Sequence, residues 1–143
     1  MGDKQKTKIL VTGVFDILHQ EHLNFLKKAK QLGDVLVVGV ESDLRVKKMK
    51  GEGRPVNKQE QRKVNLEKLN IADEVFILPE KFASPADHLQ LLQKIKPDIL
   101  AVSSHTAFLD KKEKLMQEIG GRVAVVHQHN PNISTTKILE KTS

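Results

Sequence analysis

The stretch that most narrows what this chain can fold into runs from Lys8 to Val40, KILVTGVFDILHQEHLNFLKKAKQLGDVLVVGV. Ile9, Leu10 and Val11 form a short continuous apolar run, and Asp34 to Val40 is almost uninterrupted in Val and Leu. Both have the pattern of strands covered on two faces, as in a parallel sheet. Between them Leu23, Leu26, Ala29 and Leu32 recur at helical spacing, Lys27, Lys28 and Lys30 lie on the wet side, and Gly33 ends the segment. Strand, helix and strand make a βαβ unit. Thr12 and Gly13 open the first loop, and the helix is expected after His22, so His19 and His22 stand where a strand has ended and a helix begins. Open backbone N–H groups and the helix dipole favour an anion there.

The same alternation continues. Ser42 is a good cap for a short helix reaching about Met49, and Asn57 followed by Glu60 is a plausible capping arrangement for a helix ending near Leu69. Glu74 to Leu78 reads as a third strand. Ser84-Pro85 starts a helix with Leu89, Leu92 and Ile95 on one stripe, stopped by Pro97. Asp98 to Val102 is strand four, Ser103 to Phe108 a loop at its C-terminal end, and a charged helix from about Asp110 to Ile119 ends at Gly120-Gly121. Arg122 to Val126 is strand five. A last helix from Ile133 to about Lys141 begins with Ser134, Thr135 and Thr136, a second anion site. The expected architecture is α/β: a Rossmann-like, doubly wound, five-stranded parallel sheet with helices on both faces and its site across the strands' C-terminal ends. At 143 residues the chain is read as a single domain, 1–143.

Charge and composition bear on the ligand. Lys and Arg number 24 against 18 acidic residues, a net charge of +6, which suits an anionic partner. Lys50 and Arg54 stand beside Gly51 and Gly53, where the backbone can bend freely, whereas Lys47 and Lys48 read as a solvated face. Aromatics are 3% of the chain, without Trp or Tyr, a poor stacking platform for single-stranded nucleic acid, so a small phosphorylated ligand is expected and no nucleic acid. With no Cys, disulfides and thiol chemistry are excluded. No apolar run approaches the roughly 20 residues of a membrane span, and the polar start is unlike a signal peptide; no membrane partner and a cytoplasmic location are expected.

At GVFDILHQEH, Gly13 to His22, the chain resembles the nucleotidyltransferase superfamily of cytidylyltransferases, marked by a strand, then G-x-F-D-x-x-H-x-G-H, then a helix. Ile133 to Ile138, ISTTKI, is similar to the family's second motif, which wraps the triphosphate from the other side. KGEGRPVNKQEQR, Lys50 to Arg62, resembles the adenylyltransferase domain of ADP-heptose synthase, an enzyme of lipopolysaccharide core biosynthesis, while the EQR of Glu60 to Arg62 is shared with glycerol-3-phosphate cytidylyltransferases. Two positions depart from the pattern. Glu21 replaces the glycine of HxGH, placing a carboxylate where a triphosphate is expected, and SSHTAF, Ser103 to Phe108, lacks the family's Asp for base and ribose.

The resemblance implies transfer of a nucleotidyl group, AMP before CMP, from an NTP to a sugar or polyol phosphate with release of pyrophosphate. The acceptor oxygen is already ionised near neutral pH, so catalysis rests on positioning and charge stabilisation. His19, His22, Lys50 and Arg62 are the implied catalytic residues. Thr12, Gly13, Val14, Phe15, Ser104, His105, Ile133, Ser134, Thr135 and Thr136 are the implied nucleotide contacts. Asp16 reads as a structural acceptor in the turn. Mg²⁺ is implied as a companion of the triphosphate without a protein metal site, and a homodimer is implied as the assembly. The competing readings are glycerol-3-phosphate cytidylylation, a nucleotide-binding relative whose catalysis is impaired by Glu21, and a basic nucleic-acid binder.

Overall fold

The computed structural model describes residues 6–126. Its strands are β1 (Lys8–Gly13), β2 (Val35–Val40), β3 (Glu74–Ile77), β4 (Ile99–Ser103) and β5 (Arg122–Val126); its helices are α1 (Gln20–Lys30), α2 (Asp43–Lys50), α3 (Gln59–Glu67), α4 (Pro85–Ile95) and α5 (Leu109–Glu118). The five strands form one parallel sheet in the order β3-β2-β1-β4-β5.

Side-chain alternation along β1 divides the core. Ile9 and Val11 face a cluster with Phe25, Leu26 and Ala29 of α1 and Leu66 of α3. Leu10 faces the other way, with Leu92 of α4 and Met116 of α5. Helices therefore cover both faces, as the apolar runs require, and the sheet is doubly wound.

The chain winds outward from β1 in one direction and from β4 in the other, so these neighbours mark the topological switch, where an open α/β sheet makes its ligand crevice. The pairing confirms an opening. The β1–β2 ladder runs from Lys8↔Val35 to Gly13↔Val40, whereas the β1–β4 ladder covers Ile9↔Ile99 and Leu10↔Leu100. Beyond Leu10 the two strands part company toward their C-terminal ends.

Two helix starts differ from expectation. α1 begins at Gln20 with His19 as its extended cap, so His22 lies in the first turn. The apolar periodicity marks packed residues, and the first turn is polar, hence invisible to it. α3 is capped at Lys58, not Asn57. The Asn57 side chain is used elsewhere, donating to the Asp16 carbonyl at 2.7 Å, and the Gln59 N–H is satisfied by the Asp43 carboxylate at 2.8 Å. At α4 the expected cap is present: Ser84 Oγ accepts from the Asp87 N–H, and the Asp87 carboxylate accepts from the Ser84 N–H. Among the described residues, no helix is long and apolar enough to cross a membrane.

Candidate active site

The G-x-F-D turn is built around a close approach. Phe15 is buried with φ +50°, a left-handed conformation that is costly for a residue with a Cβ, and its ring lies over Gly13. A Cβ on Gly13 would come within 2.8 Å of that ring. The Phe15 ring also meets the edge of His22, with centroids 5.6 Å apart, and His22 stacks on His19 at 4.0 Å.

The His19 N–H donates to His22 Nδ1 at 3.2 Å. Burial, and then the neighbouring His19, push the His22 pKa down from 6.5 to about 4, against a weaker pull upward from Glu21. His22 is therefore neutral at pH 7. With Nδ1 accepting, its hydrogen sits on Nε2, and this N–H is the donor that His22 offers to the crevice.

That crevice has a volume of about 410 Å³ and lies at the parting of β1 and β4. Of the nucleotide contacts implied by the sequence, Thr12, Gly13, Val14 and Phe15 line it, as does His22. His19 is exposed and touches the crevice through His22. Lys50 is exposed at the end of α2, and the lining residue there is Met49. Ser104 and His105 also sit outside: the Thr106 N–H returns to the Ser103 carbonyl at 3.1 Å, which puts 104 and 105 at the exposed apex of a turn and leaves Ser103 and Thr106 on the wall. Glu21, half-exposed in the first turn of α1, is not a lining residue. Ile133, Ser134, Thr135 and Thr136 lie outside the described residues.

Arg62 stands behind the crevice and is not one of its lining residues. Its side chain is fully buried, and its guanidinium donates to four oxygens: the carbonyls of Asn57 (3.0 Å), Val14 (3.0 Å) and Glu41 (2.7 Å), and Asp43 Oδ1 (2.7 Å). In this arrangement its guanidinium is turned to protein oxygens. It ties together the first loop, the end of β2, the start of α2 and the loop before α3.

Asp16 does the companion work, as the turn acceptor expected from the sequence. Its buried carboxylate accepts from the N–H groups of Val56 and Asn57, both at 2.8 Å, and from Arg54 Nε at 3.1 Å. Burial alone would raise its pKa, but these donors hold it below the ordinary value of 3.8. The Gly-rich loop between α2 and α3 is thereby pinned against the Gly13–Asp16 turn.

Among the lining residues not singled out in the sequence are Glu41, Phe82, His88 and Lys112. Phe82 and His88 stack with centroids 4.0 Å apart, and Lys112 hydrogen-bonds Thr106 Oγ1. They come from separate segments, so no local spacing links them. Glu41 alone carried a signal, as the residue just past the C-terminal end of β2.

A family model described as cytidylyltransferase-like matches residues 10–141. The bifunctional protein HldE of Campylobacter jejuni subsp. doylei is 42% identical over 143 residues, covering 99% of this chain and 29% of the relative. The chain thus spans under a third of the length of that relative. FAD synthase of Pyrococcus horikoshii is 38% identical over 148 residues, 99% of this chain and 95% of the relative. Among solved structures, the lipopolysaccharide core biosynthesis protein from Thermoplasma volcanium superposes with a TM-score of 0.70 at 26% identity, over 88% of this chain and 98% of that one.

Proposed function

The chain belongs to the cytidylyltransferase-like family of nucleotidyltransferases, and from that premise we propose that it adenylylates a sugar or polyol phosphate, using ATP and releasing pyrophosphate. A phosphate oxygen of the acceptor forms a bond to the α-phosphorus, and the bond from that phosphorus to the α,β-bridging oxygen breaks. The observation that carries this reading is the neutral His22, fixed with Nε2–H as donor at the head of α1 and lining the crevice where β1 and β4 part. A neutral donor needs no proton exchange to follow charge as it moves from the α-phosphoryl oxygens to the leaving pyrophosphate. His19 backs its ring, and Lys50 is the rim cation offered to the phosphates. The hydroxyl-rich segment Ile133 to Thr136 is assigned to the β/γ end.

Mg²⁺ brought with the triphosphate and held by its oxygens would supply charge neutralisation there. AMP is favoured over CMP by the KGEGRPVN loop. FAD synthase, by its name, makes an adenylyl product, which supports the same choice. FMN is a ribityl phosphate, so it falls within the acceptor class and is favoured by the near-complete overlap of this chain with that relative. A cytoplasmic homodimer is the form proposed for the enzyme.

A matrix of ATP and CTP against heptose 1-phosphate, glycerol 3-phosphate and FMN, scored by pyrophosphate release, tests this reading. Turnover is expected with ATP, and silence across the matrix overturns it. His22→Asn is expected to lower kcat about a hundredfold with a small change in KM for ATP.

A further inference from the structure

Glu41 sits on the crevice wall with its main chain locked from two sides. Its N–H donates to the Gly13 carbonyl at 2.9 Å, and its own carbonyl accepts from Arg62 at 2.7 Å. Its side chain is not settled in the same way. Oε1 lies 3.6 Å from Arg45 Nε, an ion-pair distance too long for a hydrogen bond, and both atoms are buried without a hydrogen-bond partner among the described residues. Around it the wall is mostly apolar, with Phe82 stacked on His88 and Leu91 and Met49 among the lining residues, and the lining cation, Lys112, is held by Thr106 Oγ1. Burial, with Arg45 and Lys112 nearby, holds His88 below its ordinary pKa, so it brings no charge at neutral pH.

Such a wall suits neither a second phosphate nor a purely hydrocarbon group. A phosphate would meet the carboxylate, and a hydrocarbon would leave it unsatisfied. What completes it is an uncharged hydrogen-bond donor on a ligand of modest size. The phosphate end of an acceptor belongs beside His22, and Glu41 flanks the same turn through Gly13, so the donor falls on the acceptor's own body.

We propose that Glu41, oriented by Arg45, selects the acceptor by receiving a hydrogen bond from one of its hydroxyl groups. This rests on the adenylyltransferase reading above, and it adds that the acceptor is polyhydroxylated and is read at the end of β2, apart from the nucleotide.

The test compares wild type with Glu41→Gln and Glu41→Ala, using ATP with heptose 1-phosphate, glycerol 3-phosphate and FMN, and with monodeoxy analogues of whichever acceptor turns over. Titration calorimetry with a non-hydrolysable ATP analogue checks the nucleotide side and the fold. Both variants are expected to bind that analogue as wild type does, while acceptor KM rises about tenfold or more. One deoxy analogue should impose the same penalty on wild type and no further penalty on the variants. Acceptor KM unchanged in both variants, or analogue affinity lost in step with it, overturns the assignment of Glu41 and leaves the adenylyltransferase reading standing. Absence of wild-type turnover with every acceptor overturns both.

Discussion

The rim loop around Asp16 and the inner wall around Glu41 each take a carboxylate out of water, and they settle its charge in different ways. Asp16 meets three donors from one loop, so its buried charge is compensated and its pKa lies below the ordinary range. Burial pushes the Glu41 pKa above 4.5, Arg45 and Arg62 recover part of that cost, and Oε1 stays 3.6 Å from Arg45 Nε with no hydrogen-bond partner among the described residues. A satisfied buried carboxylate is framework: it holds the Gly-rich loop against the Gly13–Asp16 turn. An unsatisfied one costs stability unless something outside the fold completes it, which is the mark of a recognition group.

The largest expected effect probes the framework. Arg62→Met leaves three carbonyls without their Arg62 donor and Asp43 with the Gln59 N–H but no cation, and it should lower the unfolding free energy by about 3–5 kcal/mol, read by urea denaturation. A loss near zero would mean that the loops around the crevice hold together without it. Asp16→Asn should cost less, about 2 kcal/mol, because the amide keeps one acceptor for the loop. It should also make residues 51–57 the first site of proteolytic nicking. Glu41→Gln should change stability by under about 1 kcal/mol, with the sign toward stabilisation because a desolvated charge is removed. Destabilisation as large as that of Asp16→Asn would erase the contrast between the two regions.

The smallest and most diagnostic effects are in pH. The Asp16 contribution is present above its unfolded value of 3.8 and is lost as pH falls through its lowered native pKa. Glu41 acts in reverse, its cost setting in as pH rises from 4.5 through its raised native pKa. His22 adds a third dependence. Its native pKa of about 4 lies below the 6.5 of the unfolded chain, so the unfolded state binds the extra proton and stability declines as pH drops from 6.5 toward 4. In unfolding curves between pH 3 and 7, His22→Asn should flatten the slope above pH 4, and Asp16→Asn should flatten it at the acid end.

The architecture was legible because it rests on local signals. Continuous Val, Ile and Leu runs announced strands buried on both faces, Ser84-Pro85 announced α4, and GVFDILHQEH announced the turn that leads from β1 into α1. Thr12 to Phe15 and His22 then fell on the crevice wall. The first turn of α1 was missed because polar residues carry no packing periodicity. That Ser103 and Thr106 line the wall while Ser104 and His105 stand at the exposed apex could not be read locally, because a turn's apex depends on which carbonyl its closing N–H finds.

What the sequence determined by itself was the parallel α/β sheet, the family and the turn that opens the site, since apolar periodicity and motif spacing are properties of neighbouring residues. What the tertiary structure decided was the role of each charge. Arg62 reaches Val14 across 48 positions, and Asp16 reaches Asn57 across 41. The same arginine or carboxylate is a strut when distant backbone satisfies it and a binding group when nothing does. Whether those partners arrive is fixed by how the loops meet over the sheet, and no local stretch of sequence records it.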